Sequence, residues 1–417
     1  MYKFNKRKGP IKEMGCLAHF HLSLYYKRVG KNFMGPASKE IKVEQMRRRA
    51  TALLPLHYGR APRWLFSRMV ELAECIVEII VNEYGVHGLL DHLSDPWFFQ
   101  SLSCVLGYDW HSSGTTTVTC GALKEAIDPG ELGIAVTGGK GRASRRTPEE
   151  IEERGVGFGL SSGRIEELKY ASRMAAKVDN SLVQDGYSLY HHTFIFDEHG
   201  EWIVIQQGIN EEERNARRYH WPPEHQDLIE EPQSAILCDS RIQTVLDVTS
   251  ADSEGNRRAC VDIARENPRR LRRLLVASRP RHQRSLEDWM RGSSHPEVLI
   301  MPRRINWEAM EKVYEFQPSG YEALVSLRGV GPSTLRGLAL VAELVYGDRP
   351  SWWDPVRFSF AFGGKDGVPF PVDRLGMDGA ADLLRAGIEE AGLGHGERLS
   401  AIQRLRRCVP SIPEDRR

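Results

Sequence analysis

Six side chains of the kinds that bind divalent cations fall in two short stretches of the sequence. Asp109 and His111 lie in YDWHSSGTTTVTC, just ahead of a Ser/Gly/Thr loop, and His191, His192, Asp197 and Glu201 lie in YHHTFIFDEHGEW. Carboxylates, sometimes with imidazole, hold Mg or Mn ions that activate water, so the chemistry open to this set is metal-dependent hydrolysis of a phosphodiester. Asp109, His111, Asp197 and Glu201 are the expected metal ligands, and the expectation requires distant side chains to converge. Gln206 and Gln207 stand where a carboxylate-x-Lys pair would serve such chemistry. The plainer alternative makes Asp109 and His111 part of a helix N-terminus and leaves the other histidines buried and neutral.

A second chemistry is written in LRGVGPSTLRGLALVAELVYG, from Leu327 to Gly347. Leu324, Val325 and Leu327 give the preceding stretch an apolar helical face. Gly329-Val330-Gly331 then interrupts it, and Pro332 suits the first position of a new helix, where its missing N–H costs nothing. Glycine at 329 and 331 can take positive φ and lets another molecule approach the backbone. The N–H groups at the turn and at the head of the next helix therefore offer a pocket for a phosphate oxygen. Val330 is expected to point inward and pin the turn. Upstream, Arg269, Arg270, Arg272 and Arg273 belong to a run of arginines between Arg257 and Arg291 that meets few acids, a surface suited to releasing counterions from a polyanion. NARRYHW, from Asn215 to Trp221, interleaves arginine with aromatic rings, a composition that suits backbone contact and base stacking.

The turn resembles the helix-hairpin-helix motif of DNA-repair and DNA-processing proteins, which reads hydrophobic-x-Gly-hydrophobic-Gly and grips the DNA backbone without reading sequence. Gly329, Val330, Gly331, Ser333, Thr334 and Arg336 are its expected DNA-binding residues here. In helix-hairpin-helix glycosylases an Asp and then an Arg follow the motif, and Asp354 and Arg357 stand at roughly that place. This likeness implies a monofunctional glycosylase, Asp354 stabilising the positive charge that develops as the glycosidic bond breaks; Ser333 stands where lyase-type members carry a Schiff-base lysine. The alternative is that Asp354-Pro355 caps another helix. The phrases LPLHYGRAPRWLF, CVLGYDWHSSGTTT, GGKG, YHHTFIFDEHGEW, VIQQG, ARRYHW and SFAFGGKDGVPFPVDR, together with the turn, resemble the prokaryotic family known as domain of unknown function 763. The likeness runs from Met46 onward and implies a terminal hairpin motif but no particular chemistry.

These residues need elements to hold them. YSLYHHTFIFDEHGEWIVIQQG predicts a β-hairpin with strands at Tyr187 to Phe196 and Trp202 to Ile205, a DEHG turn between them, and His191 and His192 on opposite faces. Met69, Leu72, Ala73, Ile76, Ile79 and Ile80 form the stripe of a helix ending at Gly85. Trp97 to Gly107 reads as core helix, and the Ser/Gly/Thr loop opens a small-residue helix ending in LKEA. A strand from Gly133 to Thr137 feeds a basic loop with Lys140, Arg142, Arg145 and Arg146. Thr147-Pro148-Glu149-Glu150 predicts a capping box, and Lys169, Arg173 and Lys177 share a helical face.

Composition sets the outer bounds. With 57 Lys and Arg against 56 Asp and Glu in 417 residues, net charge decides nothing about a polyanionic partner; local patches do. Seven scattered cysteines with no CxxC pair argue against a disulfide framework or zinc ribbon and for a reduced compartment. No apolar run reaches the roughly 18 residues of a membrane span, so a soluble, cytoplasmic protein is expected. The expected fold is α+β. Residues 1–45 are expected to form a basic extension that is poorly ordered or dispensable, residues 46–232 a mixed domain with the hairpin, and residues 233–417 a helical, Arg-rich DNA-binding domain with the hairpin motif at 321–347; the Pro-rich acidic stretch from Pro222 to Pro232 is the candidate linker between the last two. The expected function is sequence-independent DNA binding in repair or processing, with a Mg- or Mn-dependent nuclease ahead of a glycosylase using Asp354 or a non-catalytic scaffold.

Overall fold

The computed structural model describes residues 63–107, 113–224, 227–238, 241–277, 301–302, 304–356, 384–389, 394, 396, 398–399 and 401–403. Arg48–Arg417 forms one compact unit, and its architecture is α+β. The predicted hairpin sits at the centre of an antiparallel sheet whose strands are β1 (Ile134–Lys140), β3 (Ser188–Asp197), β4 (Trp202–Asn210), β5 (Asn215–Trp221) and β6 (Ala235–Leu237), in that spatial order. β2 (Val183–Gln184) pairs with β7 (Leu246–Asp247) in a separate ribbon.

Each face of the sheet is covered by helices. On one side lie α1 (Arg63–Ser94), α2 (Pro96–Val105) and α3 (Gly114–Ala126), with the single turn α4 (Pro129–Leu132) leading into β1. Met69, Leu72, Ile76 and Leu123 of this layer share an apolar cluster with Ile195, Ile203 and Ile205 of the sheet. On the other side, α5 (Thr147–Gly157) and α6 (Ser162–Ser181) bring Ile151, Leu168, Ala171 and Ala175 into a cluster with Phe194, Phe196, Trp202, Val204 and Trp221. Rings stack inside it, with Phe194 and Trp202 at 5.1 Å between centroids. A fully buried side chain of this size contributes roughly 1.5–3 kcal/mol relative to exposure. Because both faces are covered, the strands read as near-continuous apolar runs such as FIF and IVI, where a half-exposed antiparallel sheet would alternate.

The same cluster continues into the C-terminal helices α7 (Glu254–Arg265), α8 (Pro268–Ala277), α9 (Trp307–Phe316), α10 (Tyr321–Ser326) and α11 (Pro332–Val341), the last prolonged by a π-type turn at Ala342–Tyr346. Asp95 caps α2 as its position before Pro96 suggests, accepting from the N–H of Trp97 and Phe98 at 2.8 and 2.9 Å. Among the described residues no helix is long and apolar enough to cross a membrane.

Gly85 takes a non-helical conformation (φ 74, ψ 177) between two helical segments of Arg63–Ser94, so the first segment ends there as expected, and Leu89, Leu90 and Leu93 carry the buried stripe into the second. One local expectation is corrected. The capping box at Thr147 does not form, because a 3-10 turn at Ala143–Arg146 already precedes the helix. Thr147 Oγ1 donates back to the Ser144 carbonyl, while Glu150 turns to the Gly138 N–H and to Lys124.

Candidate functional site

The glycine turn between α10 and α11 is built much as its sequence suggests. Leu324, Val325, Val330, Leu335 and Leu338 are buried, so the two helices and the valine between them are fixed from the core side. Gly329 takes φ +92, and a Cβ there would lie 3.0 Å from Ala309 Cβ and from Asn306. Gly331 differs from expectation: it caps α11 in an extended conformation (φ −122, ψ −175) that any residue adopts, and a Cβ on it would meet nothing within 4 Å. Its carbonyl accepts from the N–H groups of Thr334 and Leu335, each at 3.0 Å. The N–H groups of Gly331 and Ser333 have no acceptor among the described residues, as helix geometry requires of the first turn. From the far side, Lys177 Nζ donates to the Leu327 carbonyl at 2.7 Å, and burial pulls its pKa down to about 8.

Cationic side chains lie on the same helical module as the turn. Asn306 caps α9 through the Ala309 N–H and reaches the Gly329 carbonyl; the next residue, Trp307, carries the guanidinium of Arg272 over its ring at 5.7 Å. Arg269, Arg270, Arg272 and Arg273 are all exposed on α8, as are Arg304 and Arg328. Two of the expected contact residues are enclosed: Thr334 is 2 % exposed, and Arg336 is half-buried with its guanidinium over the Trp352 ring. The arginine run also divides, since Arg257 holds the Val248 and Ser250 carbonyls and Arg265 those of Pro318 and Ser319. Arg279, Arg281, Arg284 and Arg291 lie outside the described residues.

The hairpin does not assemble the expected metal ligands. His191 pairs with Lys140 at one end of β1 and Asp197 with Ile134 at the other; six residues of strand separate them by roughly 20 Å. Asp197 is buried and accepts from the N–H groups of His199 and Glu201 at 3.0 and 2.8 Å, closing the DEHG turn. Glu201 is exposed and pairs with His87 at 2.7 Å. His191 and His192 face opposite sides, as alternation requires. These side chains do not fit a shared Mg or Mn ion, and no group of three or more His, Cys, Asp or Glu among the described residues could hold a metal. Asp109 and His111 lie outside the described residues, as does Arg357.

What the strands carry instead is two buried polar rows, one on each face. Directly opposed residues share a face, and the register places His192, Gln206 and Tyr219 side by side on the α6 face. There Gln206 donates to Asp179 at 2.5 Å, its carbonyl faces His192 Nδ1 at 2.9 Å, and His192 Nε2 lies 2.8 Å from Ser172 Oγ. With the amide N–H₂ on Asp179, the imidazole must carry its proton on Nδ1 and accept the serine hydroxyl on Nε2. Burial depresses His192 to about 4, so it is neutral at pH 7. Burial also raises Asp179 to about 7, although Gln233, Trp221 and Gln206 all donate to it. The Ser-His pair has the polarity of a nucleophile and base, but both residues are buried, and its effect is to tie α6 to the sheet.

Further along the same face, Arg217 is fully buried. It forms a fork with Asp354 (3.0 and 2.9 Å), bonds Asp185 at 2.9 Å, and lies over the Tyr187 ring at 4.6 Å. Asp354 also accepts from the N–H groups of Ile242 and Val356 at 2.7 and 3.1 Å. The aspartate singled out by its glycosylase-like position is thus half of a buried ion pair, with all its acceptor capacity directed at the protein.

NARRYHW is accordingly an interior strand with every residue buried, and its composition serves the sheet, not a nucleic acid surface. Sequence reasoning missed Asp179, Asp185, Arg217, Arg218 and His220 as a buried polar system. The available signal was the adjacent arginine pair inside a run of strand-forming aromatics, since successive strand residues must point to opposite faces.

No curated protein and no solved structure was found to match this chain. The model of one family, described as a protein of unknown function (DUF763), matches residues 50–372, a span that takes in the sheet, both polar rows and the glycine turn; the chain belongs to that family.

Proposed function

We propose that the protein binds the DNA backbone, independently of sequence, through the α10–α11 turn acting as a helix-hairpin-helix, in a repair or processing role. The observation that carries this reading is the head of α11, where the Gly331 and Ser333 N–H groups are without acceptors among the described residues in a spot with open space at Gly331. A phosphate oxygen is the natural acceptor for N–H groups at a helix N-terminus. Exposed Arg328 and the arginines of α8 support it by placing positive charge in the same helical module. Metal-dependent hydrolysis would have to draw on Asp109 and His111 with groups outside the β3–β4 hairpin, and incubation of nicked and branched DNA with Mn or with EDTA tests it directly.

Gly331→Val is the cleanest test of the grip. Its backbone tolerates valine and nothing in the protein obstructs the side chain, so the fold is expected to survive while phosphate approach is blocked. Affinity for duplexes of unrelated sequence should fall by about 10- to 100-fold, the worth of one hydrogen bond to a charged group. Unchanged anisotropy titrations with a folded variant would remove the turn from the interface. Gly329→Val is less informative, because positive φ and the 3.0 Å approach to Ala309 would strain the fold itself.

Reversal of Arg269, Arg270, Arg272 and Arg273 to glutamate tests the wider surface. Each phosphate contact contributes about 0.9 to the slope of log affinity against log salt, so the slope is expected to fall by roughly 2–4. A parental slope would mean that α8 faces away from the DNA.

A further inference from the structure

On the α2/α3 face of the sheet the register aligns Lys140, His191, Gln207 and Arg218 in a single row across four strands, from the exposed end of edge strand β1 into the interior. Gln207 is satisfied within the protein, by Thr116, Tyr190 and the Ser113 carbonyl. Arg218 is not. It is fully buried, its one side-chain hydrogen bond among the described residues runs from one terminal nitrogen to Gln100 Oε1 at 2.8 Å, and the Phe99 ring covers it at 4.9 Å. Its Nε and the other terminal nitrogen have no partner among the described residues, and His220, two residues along on the same face, makes no well-aligned hydrogen bond, with only the Ser94 and Leu93 backbone near its ring. Arg217 next door, equally buried, has two carboxylates; Arg218 has none among the described residues.

Among the described residues, the acidic groups that act on Arg218 are the thiols of Cys120 and Cys104. Burial pushes the Cys120 thiol up to about 12, so that side chain brings no negative charge to the site at neutral pH. His191 Nδ1 is an orphaned ring nitrogen in the same row, and Ser103 and Thr119, on the helices covering this face, add orphaned hydroxyls. A buried guanidinium ordinarily keeps a carboxylate or other anion close, because desolvation of an isolated charge is among the costliest events in folding. Here orphaned donors and uncompensated positive charge occur together.

We propose that this face holds a small inorganic anion against Arg218, beside His220, accepting the hydrogen bonds that the guanidinium leaves unmade. Phosphate, sulfate and chloride share the required chemistry: negative charge, acceptor capacity and small size. The site is separate from the glycine turn, and the proposal does not depend on DNA binding.

The test uses the full chain, purified and then dialysed into a buffer whose only anion is gluconate. Acid-denatured protein is analysed by ion chromatography, and melting temperature is followed while phosphate, sulfate or chloride replaces gluconate at constant ionic strength. The expected result is about one small anion released per chain, or a saturable rise in melting temperature with at least one of the three ions. Arg218→Gln should abolish both signals. Release of no anion together with the same melting temperature in all four salts would overturn the proposal, as would a rise that Arg218→Gln retains in full. If Arg218→Gln does not fold, the parent chain's anion content and salt response still decide the matter.

Discussion

Asp354→Ala is expected to lower unfolding stability in urea by about 3–5 kcal/mol, the usual consequence of removing one partner from a buried ion pair. The substitution strands the fork of Arg217, whose side chain is fully buried, and leaves the Ile242 and Val356 N–H groups without the acceptor they share. It also releases a tether, because the residues before Asp354 are knitted to β7 through the Asp247–Ser351 bridge and the Val245 N–H to Trp352 carbonyl bond. Arg217→Met is expected to be at least as damaging, since it leaves Asp185 and Asp354 as two unpaired buried carboxylates. The double substitution should cost less than the sum of the two, because the residues act through one contact. A glycosylase role for Asp354 makes the opposite forecast: near-parental stability with loss of base excision. An Asp354→Ala variant within about 1 kcal/mol of the parent, by urea midpoint at unchanged slope, would show that the pair does not hold the sheet to this segment.

The contrast between Asp354 and the glycine turn marks what could be read from the sequence. The turn was legible because its signals are local: a glycine that needs positive φ, a buried valine and a proline at a helix start are each dictated by neighbours within five residues. The hairpin was legible for the same reason, from alternation and the DEHG turn. The chemistry assigned to it was not, because convergence is a long-range property; Asp197 turned out to serve its own turn and Glu201 to meet His87, more than a hundred residues away in the chain. NARRYHW misled through composition. Arginine beside aromatics describes a nucleic acid surface equally well as an interior strand, and only the helical layers on both faces of the sheet, invisible to local pattern, make it the latter. The Asp354–Arg217 pair spans 137 residues, and no spacing rule links them.

The buried histidines lead to the second large expectation, a marked loss of stability in mild acid. Burial depresses His191 to about 3 and His192 to about 4, and holds His220 well below its ordinary value. An unfolded chain protonates these imidazoles near pH 6.5, so below that pH the unfolded state takes up protons that the native state refuses. Stability is therefore complete above pH 6.5 and falls as pH drops toward the native values, at roughly 1.4 kcal/mol per pH unit for each histidine. Two carboxylates act in the other direction. Burial raises Asp179 to about 7 and also raises Asp185, against the pull of Arg217, so the native state binds protons there that the unfolded state gives up. Their contribution is fully present at low pH and lost as pH rises through the native values. Three histidines against one or two carboxylates leave a net loss of roughly 1–3 kcal/mol per unit between pH 6.5 and 4.5. Urea unfolding at half-unit intervals measures this slope. His191→Gln is the informative variant, because Nδ1 of His191 has no partner to lose; it should flatten the slope by roughly 1.4 kcal/mol per unit in that window. Stability that holds steady or rises on acidification from pH 6.5 to 4.5 would mean that the histidines do not stay neutral in the folded chain.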